Sequence, residues 1–192
     1  MSKGRMEAFT DAVMAILITI MVLELKLPKG DSLADLGALW QVFLSYVLSF
    51  IYLAIYWNNH HHMMQAVKQV NGKVLWANIH LLFWLTLVPF VTSWVGENNF
   101  TFWPVVLYGA ILLMAGMAYY FLAHSLAALH GSGSALSKAI GSDWKGKVSL
   151  LIYSVGIAVC FIHPLIGFGC YILVAAMWFI PDRRFEKKEN QA

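Results

Sequence analysis

Charge is scarce in this sequence. Asp, Glu, Lys and Arg together make up 12% of its 192 residues, 60% are hydrophobic, and the mean hydropathy is +0.67. Too few polar side chains remain to cover a water-facing surface, so the composition excludes a soluble domain and indicates an integral membrane protein. Cysteine is equally rare. Cys160 and Cys170 both fall within apolar runs and are read as small packing residues, which argues against a disulfide framework or redox chemistry. No Gly-rich phosphate loop, G-x-S-x-G elbow or HExxH helix occurs, so nucleotide, serine-hydrolase and zinc-protease chemistry all lack their residues. The chain is therefore read as no enzyme and as needing no cofactor. The net charge of +3 is too small to indicate a nucleic-acid partner.

Long apolar runs are what the chain does have. A membrane helix needs about 20 mostly apolar residues, and the runs at 9–27, 39–57, 74–95, 102–123, 148–163 and 165–180 predict an all-α protein with six spans. Residues 1–181 then form one membrane domain, and 182–192 a cytoplasmic tail. The last two runs are short and are divided at His163-Pro164. Proline cannot donate a backbone hydrogen bond and Gly167 loosens the chain, so a tight turn is expected there rather than one kinked helix. With six spans both termini share one side, and that side carries eleven of the thirteen Lys and Arg residues; Lys26 and Lys29 fall opposite. The positive-inside rule makes that side cytoplasmic, and the plasma membrane is the expected location. Five spans would move the cluster of Arg183, Arg184, Lys187 and Lys188 outside. The first run is followed by "LELKLPKGD" rather than a small-residue cleavage site, so it is read as a retained helix. The Gly- and Ser-rich segment from His130 to Lys147 reads as a cytoplasmic linker.

Few polar residues are left to carry chemistry. His60, His61 and His62 stand together where the second span meets the cytoplasm, and three imidazoles suit zinc or copper. Adjacent helical positions, however, point about 100° apart, so this run alone makes a poor metal site. The separate His80, His124 and His163 are expected to make interhelical hydrogen bonds. In the first helix Phe9, Ala12, Ile16, Ile20, Leu23 and Leu27 share one stripe, while Asp11 points nearly opposite. A carboxylate at the lipid boundary is costly unless it is paired, so Asp11 should meet a partner on another helix. The candidates are His60 or His61 at the same depth, or Arg5 of a neighbouring chain.

Arg5, Phe9, Thr10 and Asp11 spell R-x-x-x-F-T-D at the start of helix one. This resembles the R-x-x-x-F-S-D signature of the transmembrane protein 175 family of potassium channels, with threonine keeping the serine hydroxyl. "FTDAVMAILITIMVLEL" is similar to that family's first helix nearly throughout, and "YWNNHH", which contains Trp57, His60 and His61, resembles the end of its second. The resemblance implies a homotetramer, each chain giving one six-helix unit, with the first helices around a shared pore. Carried over, Ile16, Ile20 and Leu23 would form the apolar constriction, with Thr19 a hydroxyl ring beside them. Arg5, Phe9, Thr10, Asp11, Trp57, His60 and His61 would form the network holding helix one in place.

The implied function is passive conduction of potassium ions across the bilayer. Neither a T-V-G-Y-G filter nor an Arg-rich voltage-sensing helix is present, so this is not the P-loop channel fold. Ions would pass a hydrophobic constriction whose wetting controls flow. Such a ring would favour potassium modestly over sodium, because the larger ion sheds water more easily. Two rival readings are a proton- or ion-coupled carrier using Asp11 with His60 or His61, and a membrane metal-binding protein using His60 to His62.

Overall fold

The computed structural model describes residues 2–131, 133–134, 136–137 and 143–179, and among these every regular element is a helix. They are α1 (Lys3–Leu23), α2 (Leu33–Gly37), α3 (Trp40–Gln65), α4 (Gly72–Thr86), α5 (Val88–Glu97), α6 (Phe102–His130), α7 (Trp144–Val159) and α8 (Pro164–Phe179). Four stretches are long and apolar enough to cross a membrane: Lys3–Leu23, Trp40–Gln65, Gly72–Glu97 and Phe102–His130. Pro164–Phe179 is equally apolar but shorter. Ile180, the tail at 182–192 with its basic cluster, and Lys138 of the linker lie outside the described residues.

Local chemistry accounts for the breaks. Helix α1 begins at Lys3, before the apolar run, because polar side chains do not prevent helix formation; Lys3 and Glu7 pair across one turn at 3.8 Å. It ends at Leu23 rather than at residue 27: Pro28 has no N–H to give the Glu24 carbonyl four residues back, and it disfavours helical backbone at Leu27. In α2, Ser32 and Asp35 cap each other reciprocally, and the Ser32 hydroxyl holds the exposed Asp35 carboxyl below the usual carboxylate range. Pro89, in the first turn of α5, has no N–H to continue the ladder from α4, so the third span is interrupted at Leu87. The chain then reverses through Asn99 and Phe100, both at positive φ (51° and 55°). Phe100 is held in that unfavourable conformation by burial against the Phe168 ring, 4.7 Å away between centroids.

The expected turn at Pro164 is present. Helix α7 stops at Val159, Pro164 opens α8 at the position where its missing N–H costs nothing, and the two helices pack side by side. Their contact depends on bare backbone. A Cβ on Gly156 would lie 2.6 Å from the Tyr171 ring, and one on Gly109 of α6 would lie 2.3 Å from Tyr171 Cζ.

Helices α3 and α6 carry the rest of the bundle. Helix α3 packs against α1, α5 and α8, and α6 against α4, α5, α7 and α8. The largest fully buried side chains include Tyr52 and Leu53 of α3, Leu112 and Leu122 of α6 and Tyr171 of α8. Buried hydroxyls need partners in a lipid setting, where water is absent. Ser49 bonds to both Thr92 Oγ1 (2.6 Å) and Tyr108 Oη (2.8 Å), tying α3 to α5 and α6. Tyr52 donates to the Tyr171 carbonyl of α8. Among the described residues no buried side-chain nitrogen or oxygen lacks a partner.

Candidate functional site

Helix α1 has two unlike faces. Met6, Thr10, Met14, Leu17 and Met21 recur every three to four residues and are buried against the bundle. The other face is open: Phe9 is 52% exposed, Ile16 56%, Ile20 40% and Leu23 76%. Arg5, Ala12 and Thr19 also lie on exposed positions. The Thr19 hydroxyl donates to the Ala15 carbonyl at 2.8 Å, which leaves its lone pairs free to face outward.

The buried face is fixed by a hydrogen-bond chain through three helices. Asn78 Nδ2 of α4 donates to Thr10 Oγ1 at 2.9 Å, and His60 Nε2 of α3 lies 3.0 Å from Asn78 Oδ1. Because the Asn78 amide nitrogen is the donor to Thr10, its oxygen is the accepting end, and His60 must carry its proton on Nε2. Thr10, Asn78 and His60 are all almost fully buried, where such a chain gains strength from low dielectric and costs most if cut. Composition and motif reading missed Asn78. Its signal was an amide in the middle of the apolar run "LWANIHLLFW", which can sit there only with partners.

Asp11 bonds elsewhere. Its Oδ1 accepts from Trp57 Nε1 of α3 at 2.9 Å, so its direct partner is Trp57 rather than His60 or His61. The helical period explains the exchange. Trp57 and His61 share one edge of α3, where their rings stack at 5.8 Å, whereas His60 turns into the core toward Asn78. His61 also bonds Gln65 at 3.0 Å. Arg5 makes no ion pair among the described residues, and it stands with Phe9 on the open face.

The histidine run diverges as adjacent helical positions must. Among the described residues no three His, Cys, Asp or Glu side chains are grouped to hold a metal ion. The interhelical bonds expected for the separate histidines are replaced by local ones. His80 accepts from Trp84 of its own helix, His124 bonds the Tyr120 carbonyl, and His163 accepts from the Leu165 N–H. Each ring finds a partner within one turn of its own chain, which costs less ordering than reaching another helix. His130 is the exception: its Nε2 faces the Lys68 N–H at 3.2 Å, tying α6 to the loop after α3.

The family profile described as endosomal/lysosomal potassium channel TMEM175 matches residues 5–89, which hold α1, α3 and the Asn78 anchor. A potassium channel of Chryseobacterium sp. strain P1-3 is 53% identical over 192 residues, covering 99% of this chain and 100% of the relative. The chain belongs to the TMEM175 family. A potassium channel of Streptomyces collinus is 37% identical over 99 residues, 50% of this chain and 48% of that one. The crystal structure of a homolog of the lysosomal potassium-selective channel TMEM175, from Chamaesiphon minutus, superposes with a TM-score of 0.80 at 27% identity, covering 92% of this chain and 96% of the other. The fold is thus a membrane channel fold and not that of an enzyme. In this TMEM175 chain the three letters of F-T-D point three ways: Phe9 outward, Thr10 to Asn78 and Asp11 to Trp57.

Proposed function

We propose that this chain is a potassium-permeable cation channel in which helix α1 of each copy in a homotetramer lines a common pore. The observation that carries the reading is the open face of α1. Ile16, Ile20 and Leu23 lie along it, while the opposite face is held by Thr10 and Asp11 to α4 and α3. A pore helix needs such an arrangement: an apolar edge free to meet its copies, and a back that does not shift. The potassium-channel names of its relatives support the permeant ion.

Ile16, Ile20 and Leu23 form the constriction, with Thr19 offering lone pairs beside them. Partly dehydrated ions cross this apolar ring, so potassium is favoured modestly over sodium and wetting of the ring controls flow. Each copy spans the membrane six times, α7 and α8 being the two short spans. The domain covers residues 1–181, with 182–192 as a tail. Both termini are cytoplasmic in the plasma membrane, since that arrangement keeps most Lys and Arg inside.

The test is flux through purified protein in liposomes under a potassium gradient, repeated with sodium and with Ile16→Asn. Fast electrogenic flux that favours potassium, and whose selectivity or rate changes in the variant, is the expected result. Saturable substrate-coupled flux, or flux indifferent to Ile16, would move the reading to a carrier or the pore to another helix.

A further inference from the structure

A concave site lies away from helix α1. A cavity of about 50 Å³ sits between α3, α6, α7 and α8, walled mainly by aromatic and aliphatic side chains. Most polar groups on its wall are already engaged. Trp178 Nε1 donates to Ser149, Ser149 donates to the Lys145 carbonyl, Tyr52 donates to the Tyr171 carbonyl, and Tyr119 donates to the Asn59 carbonyl. Two tyrosines differ: Tyr120 and Tyr56 both line the cavity, and neither hydroxyl makes a hydrogen bond among the described residues, the more buried being that of Tyr56, which is 8% exposed. Since no fully buried polar atom there lacks a partner, this hydroxyl must reach open space, and the space beside it is the cavity.

Glycine lets the Leu150 side chain lie close beneath that space. A Cβ at Gly116 would lie 3.0 Å from Leu150 Cδ2 and 3.8 Å from the Tyr56 hydroxyl. A larger side chain would therefore fill the floor under Tyr56. Charge nearby is balanced: Asp143 reaches the wall, and Lys145 Nζ lies 5.8 Å from the Trp178 ring. A neutral occupant suits this setting better than an ion.

Size narrows the class further. A water needs roughly 10–15 Å³, and an engineered cavity of about 150 Å³ takes benzene, so this one suits a chain of a few heavy atoms. Water itself would face mostly apolar wall. Small-molecule sites typically pair such walls with one or two placed polar groups. We propose that this cavity binds a short neutral alcohol of about two to four carbons, its hydroxyl on Tyr56 and its alkyl chain against Ile55, Leu150 and the floor at Gly116.

The experiment is photolabelling of the purified protein with a diazirine-bearing butanol, with adducts mapped by mass spectrometry. Adducts should concentrate on the α3 and α7 residues around Tyr56 and Tyr153 and fall when n-propanol competes. Gly116→Val should reduce them about tenfold by filling the floor. Tyr56→Phe should weaken alcohol competition about two- to tenfold, the worth of one hydrogen bond, and leave labelling by a diazirine hydrocarbon of the same length unchanged. If Gly116→Val does not fold, as judged by circular dichroism and gel filtration, the Tyr56→Phe comparison decides. Adducts spread along the lipid-facing helices, insensitivity to n-propanol, or alcohol labelling indifferent to Tyr56→Phe would overturn the assignment.

Discussion

The indole N–H of Trp57 donates to the Asp11 carboxylate across 2.9 Å, binding α1 to α3 beside the point where Thr10 is bound to α4. The bond lies at an exposed edge of the chain, so its worth is that of a charge-assisted hydrogen bond that the chain does not bury.

Trp57→Phe keeps most of the ring and removes the donor. It should lower thermal stability in detergent by about 1.5 kcal/mol, the low end for a hydrogen bond to a charged group. Asp11→Ala should cost a similar amount, and the double variant little more than either alone, because both cut the same bond. Additive losses in the cycle would mean that the pair is not coupled.

Thr10→Ser keeps the hydroxyl that accepts from Asn78 and should be nearly silent in thermal unfolding. Thr10→Val has almost the same shape but leaves the buried Asn78 amide without its acceptor, at a cost of about 1–3 kcal/mol. Equal melting temperatures for the two variants would show that the Thr10–Asn78 bond contributes nothing.

Gly109→Ala places a methyl group against the buried Tyr171 ring. Overpacking of this kind costs about 1–3 kcal/mol, and here it should loosen α8 from α6. The check is faster hydrogen exchange in α8 together with a lowered melting temperature. A variant as stable as the parent would mean that Tyr171 has another place to go.

Cysteine scanning of α1 separates its two faces. Single cysteines at Ile16, Ile20 and Leu23, in a background lacking Cys160 and Cys170, should react with a water-soluble methanethiosulfonate in liposomes and alter flux. Cysteines at Met14, Leu17 and Met21 should stay unmodified, since those positions are buried. Labelling with the opposite pattern would turn the helix around and overturn the proposal that its open face lines a pore.

Much of this was legible in the chain itself. Low charge and long apolar runs specify membrane helices through the cost of placing polar groups in lipid. Pro164 marks the turn between α7 and α8 because its missing N–H breaks a helix interior but is harmless at a first position. The stripe containing Ile16, Ile20 and Leu23 follows from helical period alone.

Which way each stripe faces is another matter. In a water-soluble helix the polar side faces out, but in a membrane both the lipid side and the protein side are apolar, so the contrast that orients a helix is absent. Only packing shows that Met6, Met14, Leu17 and Met21 turn inward and Ile16, Ile20 and Leu23 outward. The same limit hid the partners. Residue type and depth indicated that Asp11 needs a donor, but His60, His61 and Trp57 all sit within about one turn, and side-chain direction alone selects among them. The sequence by itself determined that this is a bundle of membrane helices with a charged motif at the head of the first; the tertiary structure decided that Thr10 and Asp11 anchor that helix through Asn78 and Trp57, because hydrogen bonds follow direction in space and not spacing along the chain.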